Sequence, residues 1–476
     1  MPPPPPSMTY ATLSSPLPPP APYILSITPS ASFPHLLLRH PSPSITIVDN
    51  QTLQPIEQLQ GGHTGLISAI ATDREGAVWS SGKDARVVRW DERTRRAATV
   101  IKASVRKPIP VLALTVSERD HLVIGGTELV SSESHILFWD TRHPSVPAYT
   151  HSSTHSDDIT HLSLLPSTNT FLSSSSSSSN GPPLPDRLLL SASTDGLVAL
   201  SNMKESDEDE AVVATDNWGQ SIADAGGYMH KGKMKVWARS DMDAVAIWDV
   251  GKGDEEELEL QNHIEYPSDL FKFKDFKLPQ LGPNTTQTAA EERQSKTHLK
   301  SDYLIDVTPS LGVSKSGAPI VSVGTNEGDM IIQHYSPTSK SYTPSSYFLT
   351  NPNPSRGHKD VIRAIHHDLT NEAIYTGSED GVLSGWSLSS LEQRLVVGDD
   401  AVDDDDGRDP LEDDNDDNDM EDEESEIETE DEDEDEDEDM EDEGPRYGPV
   451  IGAATRGRTG SEIRREKRRE KRFDPY

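Results

Sequence analysis

The 476-residue chain contains no cysteine, which excludes disulfides and thiolate metal sites and fits a reducing compartment. Aromatic residues supply only 6% of it and hydrophobic residues 33%, too little to pack the whole length into cores. No apolar run approaches the ~18 residues of a transmembrane span. The N-terminus, MPPPPPSMTY, lacks both the basic start and the apolar stretch of a secretory signal. The expectation is an intracellular, soluble protein with no membrane partner. Basic charge is scarcest between Asp399 and Glu443, where 32 acidic residues face a single basic one, Arg408, giving −31 of the formal −39. The remainder holds 50 Asp and Glu against 42 Lys and Arg, so a mildly acidic body carries an extremely acidic appendage.

What the chain does contain is an internal repeat. GHTGLISAIATDREGAVWSSGKDARVVRWDE starts at Gly62 and GHKDVIRAIHHDLTNEAIYTGSEDGVLSGWSL at Gly357. Both run from Gly-His through an apolar run, a polar turn, a second apolar run, an Asp-containing tight turn and a third run to Trp. His63 precedes Trp90 by 27 positions and His358 precedes Trp386 by 28, and the turn Asp (Asp84, Asp380) stands six before its Trp in each. Period-two alternation in DVIRAI and ARVVRW predicts strands, and EDG between apolar runs predicts a hairpin turn. Weaker copies end at Trp139-Asp140, Ser201, Trp248-Asp249, a stretch without Trp at PIVSVGTNEGDMIIQHY, and Val48 in SITIVDN, which makes seven candidate third strands.

These residues resemble the WD-repeat family, whose units fold as four-stranded propeller blades. The resemblance implies an all-β, seven-bladed β-propeller with a disordered acidic and basic C-terminal tail. It also implies a buried hydrogen-bonded chain in each complete blade: His63, Ser80 or Ser81, Asp84 and Trp90, with Ser81 the expected member, and His358, Thr376, Asp380 and Trp386. A polar network of this kind pins a turn to its neighbouring strand where apolar packing is thin. The same Ser, His and Asp would read as a hydrolase only beside a cleft and an oxyanion hole, and no nucleophile-elbow motif accompanies them. No catalytic, cofactor or metal residue is assigned, and no small-molecule substrate is expected. The stretch Asn217 to Val250, with GHKDVIRAIHHD and YTGSEDGVLSGWSL, narrows the resemblance to the family of WD repeat-containing protein 89 and its fungal relatives, over about Gln58 to Leu388.

Composition sets the boundaries: a Pro-rich disordered N-terminus over 1–20, the propeller over 21–397 with flexible insertions at about 166–186 and 251–300, an acidic disordered tail over 398–445, and a basic segment over 446–476. Closure of the propeller is left open between Gln393–Val397 and a strand near Tyr10. The expected function is a non-catalytic protein-interaction scaffold in the nucleus or nucleolus, with the cytoplasm also open, serving ribosome biogenesis or chromatin. The acidic run would hold basic clients such as histones or ribosomal proteins. Arg464, Arg465, Lys467, Arg468, Arg469, Lys471 and Arg472 form a candidate nuclear-targeting cluster. RWDER and FWDTR match the W-D-x-R box of substrate receptors of cullin-RING ubiquitin ligases, which implies Arg93 and Arg142 as adaptor contacts in an alternative reading.

Overall fold

The computed structural model describes residues 6–18, 22–73, 76–165, 187–253, 257–279, 297–352 and 355–388. All lie in one compact unit, Met1–Asp404. Seven blades form in chain order. Blade 1 comprises Ser26–Pro29, His35–Arg39, Ile45–Asp49 and Pro55–Leu59, and blade 2 Ile67–Thr72, Val78–Gly82, Arg86–Asp91 and Arg96–Lys102. Blade 3 comprises Val111–Ser117, Leu122–Thr127, Ile136–Asp140 and Tyr149–His151, and blade 4 Ile159–Leu164, Leu188–Ser193, Leu197–Asn202 and Val212–Asn217. Blade 5 comprises Ile222–His230, Lys233–Ser240, Val245–Lys252 and Leu258–Tyr266, and blade 6 Tyr303–Val313, Pro319–Gly324, Met330–Ser336 and Ser341–Leu349. Blade 7 comprises Ile362–Asp368, Ala373–Ser378 and Val382–Ser387, with Leu13–Pro16 as its fourth strand. The first strands of successive blades touch one another around a closed ring, blade 7 back to blade 1, and so line a central channel.

Hydrophobic patterning explains the stacking. Second and third strands are buried on both faces, as in VWSSG and LLLSAS, whereas the outer strand RAATVIK alternates exposed and covered residues. Seven apolar clusters result, one at each blade interface, from Ile47 against Trp90 between blades 1 and 2 to Leu36 against Leu383 between blades 1 and 7. Each third-strand tryptophan (Trp90, Trp139, Trp248, Trp386) packs toward the preceding blade. The Asp-Gly turns place Gly196 and Gly381 at φ +84° and +73°, and Ala85 takes the same left-handed conformation at +58° in blade 2.

Closure corrects the expected N-terminal boundary. Ser7–Tyr10 pairs parallel with Ser346–Leu349 as a fifth strand of blade 6, and Leu13–Pro16 pairs antiparallel with Val382–Gly385. Residues 7–15, SMTYATLSS, contain no proline and satisfy two sheet edges that otherwise stay open. Thr12 Oγ1 donates to the Gly385 carbonyl at 2.9 Å, and the Arg356 guanidinium donates to the Thr12 carbonyl at 2.6 Å. Closure therefore uses the segment after Tyr10, and Gln393–Val397 lies outside the described residues.

The expected insertion at 251–300 is also corrected in part. Leu258–Tyr266 is the outer strand of blade 5, and a 3₁₀ turn, Ser268–Leu270, leads to a hairpin of Asp275–Lys277 with His298–Lys300. Phe271 and Leu299 bury themselves in the cluster between blades 5 and 6, so apolar side chains among the acidic ones order this segment. Residues 280–296, the 166–186 insertion and everything after 388, including both tail segments, lie outside the described residues. Among the described residues no helix is long and apolar enough to cross a membrane.

Deleting residues 1–10 should leave seven four-stranded blades and a cooperative thermal transition at a modestly lower midpoint. Deleting residues 1–17 should strip the outer strand of blade 7 and abolish cooperative unfolding, read by circular dichroism.

Candidate interaction surface

In blade 2 the Trp90 indole N–H donates to Ser80 Oγ at 2.7 Å, Ser80 Oγ lies 2.8 Å from His63 Nε2, and His63 Nδ1 lies 3.0 Å from Asp84 Oδ1. Protons have one consistent direction: indole to hydroxyl, hydroxyl to imidazole, imidazole to carboxylate. Burial holds the His63 pKa below its ordinary value despite the Asp84 partner, which matches the neutral ring this direction requires. Burial alone would raise the Asp84 pKa, but donation from Thr64 N–H and His63 outweighs it and the carboxyl sits low. Gly62 is required before the histidine because a Cβ there would meet the Trp90 ring at 2.7 Å.

The hydroxyl comes from Ser80 and not from Ser81. Strand alternation sends Ser81 to the other face of the sheet, where its Oγ is buried without a partner among the described residues. Ser80 precedes Asp84 by four positions, as Thr376 precedes Asp380. Ser80, His63 and Trp90 are all buried, with the Ser80 hydroxyl held between the imidazole and the indole.

Blade 7 repeats the arrangement: the Trp386 indole donates to Thr376 Oγ1 at 2.7 Å, Thr376 Oγ1 lies 2.6 Å from His358 Nε2, and His358 Nδ1 stands 3.8 Å from Asp380. Blade 4 holds a third relay that spacing concealed. His155 Nε2 lies 2.8 Å from Ser191 Oγ and its Nδ1 3.6 Å from Asp195, with Ser201 in the tryptophan position. No glycine precedes His155, and the 166–186 insertion separates it from Asp195. The Glu208 carboxylate steadies the approach by accepting from the N–H groups of Ser152 and Ser153 and the Thr154 hydroxyl. Elsewhere the relay degrades. Gly125 occupies the hydroxyl position of blade 3 and the Trp139 indole N–H has no partner among the described residues, while Trp248 of blade 5 donates to Asp216 of blade 4 at 2.6 Å.

The relays fix the turns at one end of the blades, where the channel opens into a cavity of about 480 Å³. Blades 2 to 5 each carry a bulge in the first strand at Ser68, Leu112, Thr160 and Ala223, and all four residues line this cavity with Leu25 and Leu66. Leu66 is half exposed, and Met242 stands exposed on the same face beside the lining residue Asp241. One position beyond the bulge, blades 4, 5 and 6 present His161, Asp224 and Asp306. His161 Nδ1 lies 2.7 Å from Asp224, and Arg239 donates to the Ile305 carbonyl at 2.7 Å. Enclosure, then the Asp224 charge, push the Asp306 pKa up to about 7 against the opposing pull of Arg239. Among the described residues no group of three His, Asp or Glu is placed to hold a metal.

The W-D-x-R arginines lie at the opposite end of the blades, in the turns between third and fourth strands of blades 2 and 3. Arg93 is 79% exposed, with Nη2 3.8 Å from Asp91; Arg142 is 62% exposed and grips Asp140 through Nε and Nη2 at 2.9 and 2.7 Å. Residues 464–472 and the acidic run lie outside the described residues.

Ser80→Ala should cost about 1–3 kcal/mol because it strands an indole N–H and an imidazole nitrogen, whereas Ser81→Ala should be close to neutral, both read from denaturant midpoints. The folded state keeps the Asp306 proton up to about pH 7 while an ordinary carboxyl releases it near 3.8, so this group's contribution is present below 3.8 and lost as pH rises through 7. Asp306→Asn should therefore stabilise the fold at pH 8 by on the order of 1–2 kcal/mol, read as a raised thermal midpoint, with the gain shrinking toward pH 5.

No family model matches the chain. Over 359 residues it is 22% identical to an uncharacterized WD repeat-containing protein of Schizosaccharomyces pombe, an alignment covering 74% of this chain and 92% of that protein. Blades pinned by His, Ser or Thr, Asp and Trp at repeat spacing, and a WD repeat-containing relative along most of the fold, make this chain a seven-bladed β-propeller similar to WD-repeat proteins.

Proposed function

We propose that the chain is a non-catalytic interaction scaffold of the nucleus or nucleolus, holding one protein at the channel mouth and a basic protein on the run Asp399–Glu443. The channel mouth carries this reading: a cavity of about 480 Å³ with mainly apolar walls and a half-exposed Leu66 at its lip, on a rigid platform. A propeller of this class offers its loop faces to other proteins, and function then resides in the grafted surface. Support for the second partner is compositional. The segment Asp399–Glu443, with its 32 acidic residues, attracts histones or ribosomal proteins with strong salt dependence, in ribosome assembly or chromatin handling. Nuclear residence rests on the basic cluster Arg464–Arg472 and on the resemblance to the family of WD repeat-containing protein 89.

A second reading, substrate receptor of a cullin-RING ubiquitin ligase, is favoured by one observation: Arg93 and Arg142 are both exposed, on the same face of adjacent blades. Arg93→Ala with Arg142→Ala would then abolish adaptor co-purification.

For the scaffold, a chain lacking residues 399–443 should lose its basic clients from pull-downs at moderate salt while keeping other partners. Leu66→Asp with Met242→Asp should do the reverse, and unchanged recovery by both variants would overturn the reading.

A further inference from the structure

A second concavity lies on the W-D-x-R face, between blades 1 and 2. It is a cleft of about 190 Å³, below the ~300–1,000 Å³ of small-molecule sites and suited to one large side chain. Phe33, Ile47 and Ile56 give it apolar walls, and Phe33 and Ile56 are each 40% exposed. Glu92, the x residue of the blade 2 box, forms the floor with its side chain only 3% exposed. One carboxylate oxygen accepts the Ser30 hydroxyl at 2.7 Å, and the other lies 3.4 Å from His35 Nδ1, so both are engaged within blade 1. At the lip, Arg95 pairs with Glu57, while Arg93 extends into solvent.

Each element restricts what the cleft accepts. A carboxylate cannot enter over the buried Glu92 charge without a large desolvation cost. A cation is repelled by Arg93 and Arg95 and finds the Glu92 oxygens already occupied. An uncharged apolar side chain is left as the entrant, and an acidic neighbour outside the cleft would meet Arg93.

We propose that this cleft docks a short partner segment carrying one aromatic or leucine anchor with an Asp or Glu one or two residues away. The anchor fills the space between Phe33 and Ile56, and the carboxylate pairs with Arg93. This site is independent of the channel mouth, and it uses Arg93 without Arg142, whereas the ligase-adaptor reading needs both.

The test is selection of a displayed random-peptide library on the full-length chain. Enriched peptides should share an aromatic or leucine beside an acidic residue. Their affinity should fall about tenfold on Phe33→Ser or Arg93→Glu and hold on Arg142→Ala. A peptide with Lys in place of its acidic residue should bind Arg93→Glu better than the wild type does, which separates docking from loss of fold. No enrichment, a basic consensus, or equal binding to Phe33→Ser would overturn the proposal.

Discussion

A buried proton relay, indole to hydroxyl to imidazole to carboxylate, holds the turn of a blade to its second and third strands. A four-stranded blade is too thin to immobilise its own turns by apolar contact, and a relay group removed from water is costly unless it is partnered. Trp90, Ser80, His63 and Asp84 meet that demand in full. Degenerate blades show what replaces it. Blade 5 sends the Trp248 indole to Asp216 of its neighbour, and blade 3, with Gly125 in place of the hydroxyl, leaves the Trp139 N–H unanswered.

Blades so pinned stack as units, and the ring forms because both faces of every blade are apolar. The seven interface clusters close only if the last blade meets the first, and the chain achieves this by lending residues 7–16 from its start to blades 6 and 7. Pairings such as Ser14 with Ser384 span nearly the whole propeller, so its last edge is satisfied by the most sequence-distant contacts in the fold. The channel is lined by the ring of first strands, whose bulges place Ser68, Leu112, Thr160 and Ala223 on the mouth cavity and are followed directly by His161, Asp224 and Asp306 in blades 4 to 6.

Seven third strands were legible in the sequence because each is a short apolar run after a polar turn; only four of them carry Trp, and the Asp six places earlier is kept before Trp90 and Trp386 and, in blade 4, before Ser201. Ser80 was not separable from Ser81 until strand alternation was visible, although the four-residue step to Asp84 carries the answer. His155 was hidden because an insertion stretches its distance to the turn aspartate, and spacing is the only signal a single sequence offers. The N-terminal strands were obscured by flanking prolines, and composition averaged over twenty residues conceals a proline-free stretch of nine. Channel residues and the Glu92 cleft are products of tertiary placement. Glu92 reads as an ordinary turn residue until Ser30 and His35 are seen around it.

The two ends of the blades thus offer different chemistry: an apolar mouth above a charged channel on one, arginines and a small cleft on the other. The channel mouth depends on turns kept rigid by the relay, so its proton direction is the claim to test. Nitrogen NMR of histidine-labelled protein, with His63 assigned by substitution, reports tautomer and charge directly. The account predicts a neutral ring protonated on Nδ1, with a slowly exchanging proton and a pKa below the ordinary histidine value. An Nε2-protonated ring, or one that titrates as a free imidazole does, would contradict it.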